Sequence, residues 1–444
     1  MDTCSLSVSS GCLPLWKNSL FAVLTFFGSI VLVLYTLFTN LDENYSDKEE
    51  SDDPTTSGQA SLGDLLKVAI VHAQYYIIIM RLPVAYPSDM AKLSGALSAV
   101  TGAESAIAFS YSCFFPADAS DGQAQTQLLG ALLVPFAVIA TSMILWGFSS
   151  HFYKVLSKAD TTLGLNTQLW LLGVIAVFIL YPGWAQAALS VFACYKIDDG
   201  KTGNFPQNQK ATWQHGYWVR DMAQECYTGV HLRLYVPIGI AAVTVLCLGP
   251  PLISFLILWH HRAELRSSCV RQRYGFLFAR YKSRYFWWES VLMLQELALV
   301  AVEVFGRGLK AVTHQILVML TAFTFISAIN IACSPNKLKV ITMLEFMSMT
   351  VLSLTVSLSL FFVVEGRLSA ADERAVGALI LAINVALLAA FLGVLLRGAW
   401  GALRGAARRA RSRALALIGR MGNSSVRIDV WPAGGGDEAS EIVK

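Results

Sequence analysis

Charged residues are scarce in this chain of 444 residues. Asp, Glu, Lys and Arg together make up 14% of it, whereas ordinary soluble domains contain about 25%. Hydrophobic residues make up 55%, and apolar runs of about 20 residues recur from Leu20 almost to Leu396. About nine such runs cannot all be buried inside one globule. The composition therefore predicts an all-α fold, a polytopic transmembrane helical bundle of about nine spans.

Motifs of enzymes and metal sites are also missing. The sequence contains no HExxH, GxSxG or P-loop motif, and no glycine-rich dinucleotide turn after a strand. Its eight cysteines form no CxxC pair, and its His and Glu residues do not approach metal-ligand spacing. We therefore expect no enzymatic activity, no catalytic residues, no metal site and no cofactor. A TVGYG-like filter is absent too, which argues only against a potassium-type pore.

The apolar runs predict the positions of the spans. They cover residues 19–38, 64–82, 126–150, 168–193, 234–259, 289–305, 311–333, 339–364 and 374–396. The second and sixth spans are the weakest, because each carries charged side chains. Residues 84–112, between the second and third spans, are only moderately apolar and predict a re-entrant or interfacial segment.

Two basic segments predict the orientation. Residues 260–284 contain seven Arg or Lys and one Glu, and residues 397–427 contain eight Arg and no acid. Since positive segments stay in the cytoplasm, the C-terminus is predicted inside and the N-terminus outside, in a plasma membrane or another secretory-pathway membrane. The other parts are predicted as a short extracellular N-terminus (1–18), a disordered acidic cytoplasmic linker (39–63) and a disordered C-terminus (428–444).

The basic segments also predict contacts with lipid. Aromatic residues alternate with basic ones in 260–288, which is typical of an amphipathic helix on an anionic inner leaflet, and this position excludes nucleic acid. Residues 397–427 predict a second surface helix, for which a calmodulin-type or cytoskeletal partner is the alternative to lipid. The basic residues expected to face lipid are Arg271, Arg273, Arg280, Lys282, Arg284, Arg404, Arg408 and Arg411.

The predicted sixth span carries three glutamates at intervals of seven. On a helix, Glu289, Glu296 and Glu303 fall within about 40° of one line. A charge near mid-membrane costs about 2.5–3.5 kcal/mol, so Glu296 is expected to face the bundle interior. There it either lines a cation pathway or accepts a proton, or it is neutral or paired with a partner such as His72 or Arg81.

The residues around this stripe predict further roles. Trp287 and Trp288 suit the headgroup layer and, with Glu289, are candidates for a helix anchor or gating element. Glu289 is expected to bind an Arg or Lys of 280–284, and Glu303 is expected to be solvated. The other candidates for a pore or cation-binding site, on the seventh and eighth spans, are His314, Gln315, Asn330 and Glu345.

The cysteines sort by the side of the membrane they are predicted to face. Cys194 and Cys226 flank one predicted external loop and form the preferred disulfide, with Cys113 as the competing partner. Cys247 and Cys333 are predicted to be buried in the membrane. The alternative is that all eight cysteines remain free.

Several segments resemble, in the same order, the membrane portion of TRP-like proteins of algae, fungi and protists. The segment "RYGFLFARYKSRYFWWE" (273–289) resembles the Tyr-Gly-Phe-Leu stretch, second Tyr and Trp-Glu pair that open a transmembrane helix in that family. Four further segments resemble other family spans, namely "LLKVAIVHAQYYIIIMRLPVAYP", "FILYPGWAQAALSVFAC", "DMAQECYTGVHLRLYVPIGI" and "SPNKLKVITMLEFMSM". The resemblance covers residues 60–365, approximately.

The resemblance implies a TRP-like transmembrane domain, assigned to residues 64–396, and a cation channel or channel-related protein. The alternative function is a non-conducting anchor or signalling part of a surface receptor or adhesion protein. In the family this domain often follows adhesive or cysteine-rich extracellular repeats. None precede the first span here, so we expect a short member or an incomplete product, and no ligand sensing by an ectodomain. A homo-oligomer suits either function, and a transporter, the third alternative, would show inverted repeats.

Overall fold

The computed structural model describes residues 15–49, 61–101, 120–157, 164–195, 215–309, 311–363, 371–393 and 396. These residues are mostly helical, which confirms the predicted helical class. The chain divides into two units, residues 1–393 and 394–444. The helical bundle lies within the first unit.

The elements follow one another along the chain as a series of long helices with one small sheet. The helices are α1 (Leu15–Glu49), α2 (Leu62–Met80), α3 (Ser88–Thr101), α4 (Ser120–Ser157), α5 (Leu165–Leu189), α6 (His231–His260), α7 (Ser268–Phe278), α8 (Trp288–Gly306), α9 (Val312–Cys333), α10 (Lys339–Ser359) and α11 (Ala371–Gly393). Helix α6 includes π-helical turns at His231–Tyr235 and Val243–Leu248. Short 3-10 turns lie at Ser190–Phe192, Ser283–Tyr285 and Leu360–Phe362. Strands β1 (Cys194–Tyr195), β2 (Tyr217–Trp218) and β3 (Asp221–Glu225) form an antiparallel sheet in that order.

Among the described residues, eight helices are long and apolar enough to cross a membrane. They are α1, α2, α4, α5, α6, α9, α10 and α11, and their bounds follow the predicted spans closely except at α1 and α4. Helix α8 is long enough at 19 residues but carries the three glutamates. The eight helices are compatible with an integral membrane protein.

Two stretches differ from the predicted organisation. Helix α1 continues to Glu49, so the first part of the predicted disordered linker 39–63 is helical. That stretch contains no Gly or Pro before Pro54, and its polar residues therefore do not interrupt the helix. Residues 50–60 lie outside the described part of the chain.

Part of the predicted re-entrant or interfacial segment 84–112 forms α3. With 14 residues, this helix is shorter than the about 20 needed to span a membrane. It packs against α1 and α2. A Cβ on Gly28 would lie 2.6 Å from the carbonyl oxygen of Ala99, so only glycine allows α1 and α3 to approach this closely. Residues 102–119 are outside the described part.

The bundle has an inner and an outer set of helices. The membrane-length stretches of α2 and α5 are 78% and 72% buried, whereas those of the other six candidate spans are at most 39% buried. Large apolar side chains cover the outside, such as Ile144, Phe148 and Phe325, which are 70%, 67% and 67% exposed. Soluble proteins rarely expose so large an apolar surface to water, so the outer helices are suited to contact with lipid.

At two prolines inside the bundle, a side chain of a neighbouring helix donates to the backbone carbonyl that the proline leaves without a donor. Pro182 lies within α5 and removes the N–H that would bond the carbonyl of Phe178. The amide of Gln74 on α2 donates to the carbonyls of Phe178 and Ile179, at 3.4 and 3.1 Å. A neighbouring side chain thus replaces the missing donor.

Pro251 in α6 has a similar arrangement. In an α-helix its missing N–H would bond the carbonyl of Cys247. The hydroxyl of Tyr181 on α5 donates to that carbonyl at 2.7 Å. Side-chain hydrogen bonds at the two prolines therefore bind the inner helix α5 to α2 and to the outer helix α6.

Candidate functional site

A buried ion pair joins α2 to α8 at one end of the bundle. Lys67 Nζ lies 2.8 Å from Glu289 Oε2, and the two side chains are 2% and 0% exposed. The hydroxyl of Tyr281 donates to the same oxygen at 2.8 Å. The expected partner of Glu289, an Arg or Lys of 280–284, is therefore wrong, because the cation comes from the second helix.

The Lys67 ammonium is enclosed on its other sides as well. It donates a 2.8 Å hydrogen bond to the carbonyl of Phe276, where α7 approaches the bundle. It also lies 3.9 Å from the ring centre of Phe276 and 5.1 Å from that of Phe178. A carboxylate, a carbonyl and two aromatic faces thus replace its hydration shell, which makes burial of the cation tolerable.

A second ion pair lies beside the first. Arg280, 5% exposed, donates through Nη2 to Glu345 Oε1 on α10, and Asn336 Nδ2 donates to the other oxygen of that carboxylate. The expectation that Arg280 faces lipid is wrong. Helix α7 ends at Phe278, and after Ala279 the chain turns the side chains of Arg280 and Tyr281 into the protein.

The backbone holds this second pair in place. The N–H of Lys337 donates to the carbonyl of Arg280 at 3.0 Å, and the N–H of Lys282 donates to that of Pro335 at 2.8 Å. These bonds join the turn after α7 to the turn between α9 and α10. Backbone hydrogen bonds thus hold the two turns together independently of their side chains.

We name the five charged groups at this end the charge cluster: Asp64, Lys67, Arg280, Glu289 and Glu345. Asp64, in the first turn of α2, interacts electrostatically with Arg280 and Lys67. Three acids face two bases, so the charges within the cluster nearly balance. Because its members come from α2, the turn after α7, α8 and α10, the cluster crosslinks four parts of the bundle.

Glu303 at the opposite end of α8 is also buried. Its side chain is 1% exposed, and Oε1 accepts a hydrogen bond from Arg307. Arg307 Nη2 also donates to the carbonyl of Arg81 at 3.0 Å, and Gln315 Nε2 donates to the carbonyl of Glu303 at 2.9 Å. The expectation that Glu303 is solvated is therefore wrong, since α2, α8 and α9 meet around it.

Glu296 occupies the middle of α8 and faces the interior, as expected for a carboxylate in a span. It is 4% exposed, and Tyr75 and Tyr181 are close enough to interact with its charge. Its Oε1 has no hydrogen-bond partner among the described residues. Of the two partners expected for it, His72 contacts the hydroxyl of Ser348 instead, at 2.9 Å.

Two of the pore and cation-binding candidates, Asn330 and Glu345, line one open cleft between α2, α8, α9 and α10, whereas His314 and Gln315 lie outside it. Asn330 and Gln295 exchange two hydrogen bonds of 3.3 Å between α9 and α8. His314 is exposed near the start of α9, and Gln315 is buried against Gly306. Of the tryptophans next to Glu289, Trp288 is buried at 3% exposure and Trp287 is half-buried, and their place in the headgroup layer stays a prediction.

Four of the residues expected to face lipid lie at the surface of the chain. Arg271, Arg273, Lys282 and Arg284 are exposed. Only residues 268–278 of the predicted amphipathic segment 260–288 form a helix before α8, apart from the end of α6 and one short turn. The tail residues Arg404, Arg408 and Arg411 lie outside the described residues.

Cys194 and Cys226 form a disulfide, as predicted, at the Glu303 end of α8. The bond joins the end of α5 to the segment that leads into α6. Nearby, the Tyr195 hydroxyl donates to the carbonyl of Val304 at 2.9 Å, and burial raises the pKa of Tyr195 to about 12. This tyrosine therefore stays protonated and remains a donor across the physiological range. Cys247 is a buried free thiol, as predicted, and Cys333 is half-buried.

Lys67 and Tyr281 are two central residues of this site that the sequence patterns do not predict. Lys67 is an isolated cation in an otherwise apolar helix, and such a residue requires a buried counter-charge. Asp64 lies three residues away on the same helix, and the predicted sixth and eighth spans carry glutamates, so candidate counter-charges are present in the sequence. For Tyr281 there was no such signal, because it follows the end of α7 within a strongly basic segment. Among the described residues, no group of three or more His, Cys, Asp or Glu is arranged to hold a metal.

Comparisons with known proteins add one weak similarity. No family model and no solved structure matches the chain. A curated protein of Toxoplasma gondii, cysteine repeat modular protein A, is 29% identical over 133 residues, which are 29% of this chain and 4% of that protein. The chain therefore matches a small fraction of that relative's length. The TRP-like resemblance stays a prediction.

Proposed function

We propose that this chain is a multi-pass membrane protein whose bundle is the non-conducting anchor or signalling part of a surface receptor or adhesion protein. One observation carries the proposal: most charged side chains inside the bundle are bound to one another. Lys67 binds Glu289, Arg280 binds Glu345, and Glu303 binds Arg307. Charges neutralised in this way hold helices together and are poorly placed to coordinate a passing ion.

The arrangement of the two ends supports nine spans with the N-terminus outside. Nine is the sum of the eight apolar helices and α8, which packs among them. The disulfide and the sheet lie at the Glu303 end of α8, whereas the basic turn after α7 lies at the Glu289 end. A disulfide at the outer face and basic residues at the inner face agree with the positive-inside rule.

The similarity to the Toxoplasma protein supports the same reading. That protein is described as a cysteine repeat modular protein, and the match covers 4% of it. This similarity leaves room in such a protein for other parts beside the matched one. In this chain, we propose that the exposed basic residues after α6 contact anionic lipid of the inner leaflet.

The experiment that tests this function combines extraction, topology and current recording. The full chain should resist alkaline carbonate, an N-terminal tag should be reachable on intact cells, and a C-terminal tag only after permeabilisation. In liposomes the purified protein should pass no current under voltage, stretch or calcium. A reproducible single-channel current would contradict the anchoring function.

A cation channel is the second candidate, and Glu296 is the observation that favours it. This carboxylate faces the interior near the middle of α8 and leaves one oxygen without a partner among the described residues. Tyr75, Tyr181 and Glu296 bring polar groups of α2, α5 and α8 to one level. If the protein conducts cations, Glu296→Gln should reduce cation selectivity, whereas the matched change Glu264→Gln at an exposed turn should leave it unaltered.

A further inference from the structure

A buried histidine joins the first turn of α6 to the small sheet at the Glu303 end of α8. The side chain of His231 is 1% exposed, and its ring lies against that of Trp218 on β2, with the ring centres 4.9 Å apart. The ring centres of Tyr227 and Tyr235 lie 5.6 and 6.2 Å away. Aromatic side chains thus enclose the imidazole and separate it from solvent.

Two backbone groups determine which nitrogen of this ring carries the proton. The N–H of Tyr227 donates to Nδ1 at 3.0 Å, and Nε2 lies 3.1 Å from the carbonyl oxygen of Val191. A peptide N–H can only donate, and a carbonyl oxygen can only accept. Nδ1 is therefore the unprotonated nitrogen and Nε2 the protonated one. It follows that the hydrogen bond from Tyr227 exists only while the imidazole is neutral.

The hydrogen bond from Tyr227 holds the backbone in an unusual conformation. Tyr227 has a φ of 56°, in the left-handed region that residues other than glycine rarely adopt. It belongs to residues 226–229, which lead from β3 to α6 and which we name the entry turn. Cys226, the first residue of this turn, is 0% exposed and forms the disulfide with Cys194. The neutral imidazole thus fixes a strained turn that carries half of a buried disulfide.

A second proton on His231 has no acceptor in this arrangement. It would lie on Nδ1 and point at the N–H of Tyr227, so that a hydrogen bond would become a contact between two donors. Either the entry turn has to move away from the ring or the ring has to leave its pocket before the imidazolium can form. Acid therefore favours an opened entry turn over the closed one.

The carboxylates of the surrounding elements are bound to other groups. The titratable and charged side chains that these elements carry are Tyr195, His215, Tyr217, Arg220, Asp221, Glu225, Tyr227, Arg233 and Tyr235. Glu225 accepts from the backbone N–H of His215 at 3.2 Å, and Asp221 accepts from the amide of Gln224 at 2.9 Å. Arg220 donates to a serine hydroxyl at 2.6 Å, and Arg233 is exposed. Among the described residues no carboxylate contacts the imidazole, so nothing there compensates the charge of an imidazolium.

We infer that His231 is an acid-sensitive switch: its neutral ring holds the entry turn closed, and its protonation releases the turn and uncovers the Cys194–Cys226 disulfide. The pH range follows from the usual pKa of histidine, about 6.5. The closed turn is most stable above this pH, and it loses stability as the pH falls below it. The stimulus is an acidified exterior, and this part of the inference rests on the orientation in the proposed function.

Hydrogen–deuterium exchange of the full chain in detergent, read by mass spectrometry of peptides that cover residues 219–235, tests the switch. If only the opened turn binds the second proton, its population rises about tenfold between about pH 7.5 and about pH 5.5. After correction for the intrinsic pH dependence of exchange, we expect the entry turn to exchange about tenfold faster at the lower pH. Reduction of the disulfide by a phosphine that is active at both pH values should accelerate in parallel.

Two variants without a titratable ring identify the residue responsible. His231→Asn keeps an acceptor for the N–H of Tyr227, and His231→Gln keeps a donor toward the carbonyl of Val191. In both, the entry turn should exchange at the same corrected rate at the two pH values, while peptides of α5 stay protected and show that the bundle is folded. His215→Gln, at a histidine of 47% exposure beside the same sheet, is the matched control and should keep the tenfold difference.

The parent protein alone can overturn the inference, by exchanging at the same corrected rate at both pH values. A tenfold difference that persists in a folded His231 variant, or that disappears in His215→Gln, would overturn it as well. Because the experiment is done in detergent, it does not depend on the orientation in the membrane. A failure of the proposed function appears separately, in the accessibility of the terminal tags and in the current recordings.

Discussion

Glu289 and Glu296 lie two turns apart on the same face of α8, yet their surroundings differ. At Glu289, one oxygen is bound by both Lys67 and Tyr281. At Glu296, the described residues supply two tyrosine neighbours and no ion pair. Both side chains are almost fully buried. Equal spacing and equal burial therefore do not give carboxylates equal roles.

The difference teaches how a membrane helix tolerates acidic residues. The charge of Glu289 is balanced by Lys67 on a neighbouring helix, and this ion pair holds α2 and α8 together. For Glu296, the described residues show no such ion pair, and its Oε1 has no hydrogen-bond partner among them. The first residue therefore acts as a structural crosslink, whereas the second makes no crosslink of this kind within the described part of the chain.

The largest effect is expected from removing the cation at Glu289. Lys67→Met leaves a carboxylate of 0% exposure without its counter-charge and should reduce the free energy of unfolding by about 3–5 kcal/mol. Denaturant or thermal unfolding in detergent measures the loss. Lys92→Met, at a surface lysine of 75% exposure, is the matched control and should change little. If Lys67→Met with Glu289→Leu does not recover most of the loss, the ion pair is not its cause.

A smaller effect is expected at the second pair. Glu345→Gln leaves the buried guanidinium of Arg280 with a neutral partner, but Glu345 is itself 26% exposed. Unfolding should therefore be easier by about 1–3 kcal/mol. The same assay with Glu264→Gln provides the control, because that carboxylate is 68% exposed. A loss equal to that of Lys67→Met would show that exposure does not weaken this pair.

A still smaller loss of unfolding free energy is expected at Gln74, whose amide donates to the carbonyl that Pro182 leaves without a backbone donor. Gln74→Leu should destabilise the protein by about 0.6–1.7 kcal/mol, the range for hydrogen bonds between membrane helices. Pro182→Ala restores an N–H for the carbonyl of Phe178, so Gln74→Leu should cost less in that background. A double-mutant cycle of unfolding free energies measures the coupling. A coupling of zero would contradict the role given to Gln74.

The smallest effect is expected at Glu296. Glu296→Gln keeps the shape of the side chain and removes no ion pair seen in the described residues, so the unfolding free energy should change by less than about 1 kcal/mol. The measurement is the same unfolding assay, paired with Glu289→Gln. A loss of several kcal/mol at Glu296 alone would reveal a counter-charge and remove the contrast between the two glutamates.

Much of the bundle could be predicted because long apolar stretches indicate where long apolar helices form. The predicted span 289–305 corresponds to α8 at Trp288–Gly306, and the interior position predicted for Glu296 matches its burial. The end of α1 was less predictable, because its polar residues were interpreted as a linker although nothing among them stops a helix.

The sequence alone does not predict which side chains pair with one another inside the bundle. Whether Glu289 binds a nearby arginine or Lys67 depends on how α2 and α8 pack, and helix periodicity contains no information on this. The prediction that Arg280 faces lipid is wrong for a related reason. Its neighbours in sequence are exposed bases, but the turn after α7 directs this one side chain inward, and the position of that turn depends on its bonds to residues 335 and 337.

The hydrogen bond from Tyr181 to the carbonyl of Cys247 limits the order in which this sequence can change. While Pro251 is present, loss of the tyrosine hydroxyl leaves a buried carbonyl unpaired. If the proline is replaced first, the backbone supplies its own donor and the hydroxyl becomes dispensable. Descendants of this chain should therefore lose the proline before, or together with, the tyrosine.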